Sequence, residues 1–314
     1  MSSTAASGAA DAPLRIIAGP TGAGKSALAL AAAAARGAVI VSADSRQIYR
    51  GFDVGTAKPT AAERAAVSHD GVDVADPEER WSAARFAEEA RGWIRVAAAR
   101  RQPVLVVGGT GLWLQALVRP LADEPPMDAE ARRALQAELA GVPTETLRAE
   151  VERVDPARAG LGRTQLLRAI EVSRLTGTRI SDWHAAGAGK PRREARWIVV
   201  DPGAALHERL ATRVDAMFAA GWEEEVRRLM AEVPADAPAW NACGYQEVRA
   251  LVEGRASRHE TAETVLIRTR QYAKRQRTWF RNQLVDEPRL LRLDPADPRS
   301  SAAAVDWLFE GVDA

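Results

Sequence analysis

A chain of 314 residues with 46% hydrophobic content can bury one large core or two moderate ones. Its 43 Lys and Arg stand against 42 Asp and Glu, so any nucleic-acid footprint has to be local rather than global. The single cysteine, Cys243, excludes an internal disulfide framework and a cysteine-based zinc site, and the four histidines are scattered without ligand spacing. A reducing cytoplasm is the expected location. The opening MSSTAASGAADAP has neither a basic n-region nor an apolar h-region, and no later run approaches about 18 uninterrupted apolar residues. These features predict a disordered lead-in over 1–13 and no membrane contact.

In chain order, the apolar run Leu14-Arg15-Ile16-Ile17-Ala18 predicts a first strand ending at Gly19, and the alanine-rich stretch from Ala27 to Arg36 predicts a helix. Ala38–Ser42, Val104–Val107 and Trp197–Val200 read as further buried strands, with helical segments between them. Strands alternating with helices imply an α/β fold, a parallel sheet flanked by helices. The stretch from about Ala122 to Lys190 breaks that rhythm: it is rich in Ala, Leu, Arg and Glu at helical spacing and has no convincing strand. It reads as a helical insertion domain over 122–190, with Pro125-Pro126 and the AAGAGKP segment as plausible hinges. The core domain is then 14–121 with 191–314, and from Ala204 to the end it is expected to be mostly helical.

Between the first strand and the first helix stands GPTGAGKS: Gly19, Pro20, Thr21, Gly22, Ala23, Gly24, Lys25 and Ser26. Glycines let successive backbone N–H groups turn inward on an anion, the lysine adds charge, and the hydroxyl can ligate Mg²⁺. The helix N-terminus behind the loop adds its dipole. This is the strand–loop–helix context of a P-loop NTPase-like fold, and it predicts phosphate binding without saying whose phosphate. Ligands of such sheets collect at the carboxyl ends of the strands. Asp44 follows the second strand there, and Thr110 follows the third through Gly108-Gly109. Taken alone, Asp44 could equally cap a helix or position Mg²⁺ in an ordinary NTPase, and GGTG could be only a tight loop.

Val265 to Leu284 contains no acid and six basic residues, Arg268, Arg270, Lys274, Arg275, Arg277 and Arg281. On a helix, Arg270, Lys274, Arg277 and Arg281 fall at i, i+4, i+7 and i+11, one stripe. Such a stripe suits an RNA backbone, and it equally suits a solvated face over a core held by Trp279 and Phe280.

Seven stretches in order resemble the tRNA dimethylallyltransferase family, bacterial type: GPTGAGKS, SADSRQIYRGFDVGTAKP, VVGGTGLWLQAL, RAIEVSRLTGTRIS, the helix around RVDAMFAAGWEEEV, GYQEV and TRQYAKRQRTWFR. The resemblance runs from Leu14 to Gln283. It implies an enzyme that transfers a dimethylallyl group from dimethylallyl diphosphate to N6 of the adenosine next to the anticodon (position 37) of tRNA, with Mg²⁺ as cofactor. The loop would grip the diphosphate, Ser26 the metal, and Asp44 would act as general base. Thr110 would line the channel near the base and hold Asp44 or the amine in line. Arg209 and Arg213, four apart, could clamp the diphosphate, or could lie on a solvated face. The family pattern places tRNA contacts at Asp44, Ser45, Arg46, Gln47 and Thr110; at Arg132; at Thr164, Gln165, Leu166, Leu167 and Arg168; and at Asn241, Ala242, Cys243, Gly244, Tyr245 and Gln246. Gln165 and Gln246 stand where relatives often carry a basic residue, and Trp113 where they carry Tyr or Phe. The target base must be flipped out of the anticodon loop to be reached. The protein is expected to work as a monomer.

Rival readings are a P-loop small-molecule kinase, prenyl transfer to a free adenine nucleotide, and a noncatalytic nucleotide-switched RNA-binding module. The kinase does not explain GTAKP, GGTGLW or the acid-free segment. The basic stripe and the insertion favour a polymer over a free nucleotide. Asp44 at a strand tip beside the loop favours catalysis.

Overall fold

The computed structural model describes residues 12–119, 121, 125–187 and 192–310. Most of the expected lead-in, and residues 188–191 of the AAGAGKP segment, lie outside them. Among the described residues, runs of two to six form six parallel strands: β1 (Leu14–Ala18), β2 (Val39–Ser42), β3 (His69–Asp70), β4 (Val104–Gly108), β5 (Ala195–Val200) and β6 (Leu290–Leu293). Their order is β3-β2-β4-β1-β5-β6. The four strands legible in the sequence are the four central ones, which are apolar because both their faces are covered. The edge strands β3 and β6 were not expected; from Ala204 onward the described residues are mostly helical, as expected, with β6 as the one strand. Leu290–Leu293 is four residues long and only partly buried, and it is extended because β5 offers it a ladder, Trp197 opposite Leu290 through Val200 opposite Leu293.

Residues alternate across the sheet. Ile17, Ile40, Leu105, Val107, Ile198 and Val200 form one face, covered by the helices Lys25–Arg36 and Pro298–Phe309. The first of these packs through Ala29, Ala32 and Ala33, whose small side chains let its axis approach the strands. Ile16, Val41 and Val106 point the other way and are equally buried. The helices Ala83–Ala99 and Gly111–Val118 join there, with Phe86 stacked on Trp113 at 4.3 Å. The register sets Ala18 beside Gly108 and Ser42 beside Val107, so β1, β4 and β2 end level at their carboxyl edge.

The chain divides into two compact units, Met1–Val118 with Arg193–Ala314, and Arg119–Arg192. In the second, helices Ala129–Leu139, Thr144–Val154, Arg163–Thr176 and Ile180–Gly187 enclose Leu135, Leu147, Val151, Leu166 and Ile170. Arg163 donates to the carbonyls of Leu139, Ala140 and Val142, satisfying the end of the Ala129–Leu139 helix. No helix among the described residues is long and apolar enough to cross a membrane.

In the first unit, the segment from Asp44 to Pro59 is irregular and is held by one buried carboxylate. Glu225, on the helix Trp222–Glu232, accepts the backbone N–H groups of Asp53 (2.9 Å), Val54 (2.7 Å) and Gly55 (3.4 Å), and the Tyr245 hydroxyl at 2.6 Å. Burial, reinforced by the Glu225 charge, pushes the Tyr245 hydroxyl well above its ordinary pKa, so it stays a donor. A Cβ at Gly55 would lie 2.2 Å from the Trp222 indole, and one at Gly244 would lie 2.3 Å from it, so both sites require glycine. Lys58, buried, pairs with Asp53 at 2.6 Å and with Asp73. GFDVGTAKP, GWEEEV and GYQEV thus meet in one structural knot. Replacing Glu225 with Ala strands three N–H groups and a phenol. It is expected to lower stability by about 2–4 kcal/mol, with Gln in its place costing less; equal denaturation midpoints for Ala and wild type would show the knot to be dispensable.

Candidate active site

Three loops leave the level edge of β1, β4 and β2 and surround a cavity of about 1150 Å³. After β1, Gly22 and Gly24 take positive φ (74° and 97°) and turn the chain into the helix Lys25–Arg36. Lys25 Nζ donates to the Pro20 carbonyl at 2.7 Å, so the lysine is folded over its own loop. Burial lowers its pKa to about 8; the neighbouring Asp44 opposes that shift and Arg213 adds to it. Arg213 is half-buried and its pKa is also lowered, by burial, with Asp44 opposing. Arg209 donates Nε to the Gly22 carbonyl at 3.2 Å. Three cations crowd one loop, with the Asp44 carboxylate acting on two of them, a field that favours a multiply charged anion.

After β2, Asp44 lines the cavity, half-buried. Its Oδ1 accepts the Arg46 N–H at 2.9 Å, which fixes the carboxylate while Oδ2 remains for a ligand. After β4, Thr110 Oγ1 accepts the Ser45 N–H at 3.1 Å and donates to Ser45 Oγ at 3.3 Å. Thr110 is not among the residues lining the cavity; it braces the turn that presents Asp44. The far wall is the long helix Arg258–Gln283, which contributes Arg268, Tyr272, Arg275 and Gln276. Gln276 is buried, accepts the Thr21 N–H at 2.8 Å and donates to the Gly109 carbonyl at 2.9 Å. A Cβ at Gly109 would sit 2.3 Å from Gln276 Nε2, and one at Gly111 would sit 2.2 Å from the Trp279 ring, so GGTG is glycine-rich to admit this helix. Ser26 is exposed on the first turn after the loop, and no group of three or more acid, His or Cys ligands occurs among the described residues.

Comparison with known proteins gives matches over most of the chain. The family model "IPP transferase" matches residues 47–283, and "Isopentenyl transferase" matches 12–69. The chain belongs to the IPP transferase family. The tRNA dimethylallyltransferase of Myxococcus xanthus (strain DK1622) is 41% identical over 276 residues, 86% of this chain and 90% of that protein. That of Xanthomonas campestris pv. campestris (strain 8004) is 42% identical over 87% of this chain and 88% of its own length. Among solved structures, the full-length tRNA isopentenylpyrophosphate transferase of Bacillus halodurans superposes with a TM-score of 0.67 at 28% identity, covering 94% and 95% of the two chains.

Within this member of the family, the residues expected at the site fall into three groups. Thr21, Gly22, Gly24, Lys25, Ser26, Asp44, Arg46, Gln47, Arg209 and Arg213 line one cavity, joined by Asn241, Ala242, Cys243, Gly244 and Gln246. Some of the expected residues are also committed to the protein itself. Gln47 accepts from Ser42 Oγ and donates to the carbonyls of Thr56 and Ala57. Tyr245 is fully buried on Glu225, and Leu166 is fully buried in the core of the second unit, so neither presents its side chain to a ligand. In that unit Thr164 and Gln165 are exposed, Leu167 is half-buried, and Arg132 and Arg168 both bind the buried Glu171, at 3.1 and 3.2 Å. The third group is the basic stripe. Arg268, Tyr272 and Arg275 face the cavity, whereas Arg270, Lys274, Arg277 and Arg281 do not. Two residues out of phase is roughly half a turn of helix. Arg277 forks onto both oxygens of Asp201 and onto the Gly203 carbonyl. The buried positions Val265, Thr269, Ala273, Gln276 and Phe280 mark the face by which this helix packs inward.

Because burial lowers the Lys25 pKa to about 8 in the free protein, the ratio of wild-type to Lys25→Met affinity for inorganic diphosphate, in which the ligand's own titration cancels, should be flat up to about pH 7. It should then fall about tenfold per pH unit above the Lys25 pKa, as the charged form is lost. Titration calorimetry of both proteins from neutral to strongly alkaline pH tests this; a ratio independent of pH across that range would remove Lys25 from the anion site.

Proposed function

We propose that this protein transfers a dimethylallyl group from dimethylallyl diphosphate to N6 of the adenosine next to the anticodon in tRNA, releasing diphosphate. The observation that carries the reading is the single cavity in which the P-loop, Lys25 and Arg213 stand across from Asp44. Relatives with more than four-tenths identity over most of the chain are named as tRNA dimethylallyltransferases, which supports the same donor and acceptor.

The chemistry fits the wall. The N6 lone pair of adenine is delocalised into the ring, so the amine attacks well only as it loses a proton. Asp44 Oδ2 takes that proton as N6 bonds to C1 of the dimethylallyl group and the C1–O bond to diphosphate breaks. No phosphoryl group moves. Charge growing on the leaving diphosphate meets donors already in place: the loop N–H groups, Lys25 and Arg213, with Arg209 beside them. Thr110 acts through Ser45, as a positioning residue. The exposed Ser26 hydroxyl, a hard oxygen on the helix's first turn, fits Mg²⁺, whose remaining ligands would be water and diphosphate oxygens. When bound, the ion would add positive charge to the leaving group.

The acceptor base has to leave its stack to reach Asp44. Arg275 and Arg268 on the cavity wall are suited to the adjoining phosphates, although Arg268 holds Glu247 at 2.7 Å in the free protein. Arg275 lies over the ring of Tyr272 at 5.8 Å, near enough to move with it. We place the enzyme in the cytoplasm as a monomer, where tRNA and donor are both at hand.

Incubation with tRNA, Mg²⁺ and the allylic diphosphate should add one C5H8 unit to a single adenosine, read by mass spectrometry of the digested RNA. With Asp44→Asn the rate should fall by roughly 10²–10⁴ while tRNA affinity and melting temperature hold. ADP release from added ATP, with no mass gain on RNA, would contradict the assignment. In the same assay series, Arg275→Gln should flatten the salt dependence of tRNA affinity by about 0.7 log units per log unit. Arg270→Gln should change it by less than half that amount; the opposite ranking would return RNA contact to the outer stripe.

A further inference from the structure

Gln276 lies between two of the three loops and is bonded to both. Its Oε1 accepts the Thr21 N–H of the phosphate loop at 2.8 Å, and its Nε2 donates to the Gly109 carbonyl at 2.9 Å. Only this orientation of the amide satisfies both partners, since one is a donor and the other an acceptor. The next links continue in one direction: Gly109 precedes Thr110, Thr110 Oγ1 accepts the Ser45 N–H, and Ser45 follows Asp44. A connected path of short bonds therefore runs from the loop that holds the leaving group to the carboxylate that takes the proton. The side chain is 8% exposed, and the Gly109 carbonyl it serves sits where any Cβ on residue 109 would collide with the amide.

We propose that Gln276 is a positioning residue that sets the gap between the donor site and Asp44. This rests on the transfer reaction proposed above. The donor grips the loop and the acceptor amine meets Asp44, and each half binds its ligand through its own residues. What neither half fixes is the separation between them, and in-line displacement is sensitive to it: a misplacement of about 1 Å costs on the order of 10²-fold. The parallel sheet fixes the strand ends, but the loops beyond them are irregular and need a strut. Glutamine suits the position because it is neutral, donates and accepts at once, and adds no charge beside a diphosphate.

The test compares Gln276→Met, which keeps length and volume and loses both bonds, with Gln276→Glu, which can still accept from Thr21 but cannot donate to Gly109. Steady-state kinetics are measured with dimethylallyl diphosphate and tRNA, alongside diphosphate and tRNA affinities and melting temperatures. Both variants are expected to lose about 10–100-fold in kcat; with Met the donor KM and both affinities stay within about threefold of wild type, whereas the Glu carboxylate beside the phosphate loop also weakens binding of the anionic donor. A loss lodged entirely in the donor KM would make Gln276 a part of the phosphate loop alone and overturn the proposal. So would an unchanged kcat in either folded variant. If Met does not fold, Glu carries the kcat comparison, and a Glu variant with wild-type kcat is equally fatal. Wild-type turnover in the same assay separates the two levels: no C5H8 transfer by wild type would defeat the reaction itself, whereas transfer by wild type with unaltered variants defeats only the strut.

Discussion

The parallel register of β1, β4 and β2 is the constraint on which the site depends. Because β4 pairs with both β1 and β2, and Ala18, Gly108 and Ser42–Val107 end level, three loops far apart in sequence emerge side by side. Each brings one element of the chemistry: backbone N–H groups and Lys25 from the first, Asp44 from the second, and the bracing hydroxyl of Thr110 from the third. A one-residue slip would turn every strand side chain to the other face and carry these loops out of register. The buried apolar strands, locked by Ile17, Ile40, Leu105 and Ile198, forbid that slip.

Around that edge, charge is arranged unevenly. Lys25 and Arg213 are both desolvated and near each other, and the Asp44 charge offsets only part of that cost. In the free protein this is an unfavourable arrangement, and a diphosphate relieves it. Binding of the anion and recovery of the lysine charge are therefore one event. The same desolvation that destabilises the empty loop makes its cations effective against a leaving group, since their fields are not screened by water.

Much of this was legible in the sequence, and what was not has a physical reason. The phosphate loop and Asp44 could be read because glycine spacing, a lysine and a strand-terminal acid carry their chemistry locally. Long apolar strands announced themselves for the same reason, while β6 did not, because Leu290–Leu293 is extended only through its pairing with β5. The basic helix was readable as a helix, but not which of its cations line the cavity: Arg268 and Arg275 do, whereas Arg277 is bound to Asp201, 76 residues away. Likewise Glu225 and Gln276 look like ordinary helix-surface residues in sequence. Their importance lies in partners far along the chain, 170 to 172 residues for the three N–H groups on Glu225 and 167 and 255 for Gln276, which no local pattern encodes. GTAKP and GYQEV matched the family as motifs, and the fold shows them as parts of a structural knot that also contributes Gly55, Lys58, Gly244 and Gln246 to the cavity wall.

The central claim, that the loop holds the leaving diphosphate while Asp44 meets the acceptor amine, is tested most directly by a crystal structure of the protein with tRNA and an unreactive thio-analogue of dimethylallyl diphosphate. The account predicts the analogue's phosphates against the N–H groups of residues 22–26 and the flipped adenosine N6 about 3 Å from Asp44 Oδ2. Phosphates bound elsewhere, or an adenine whose N6 faces a group other than Asp44, would contradict it.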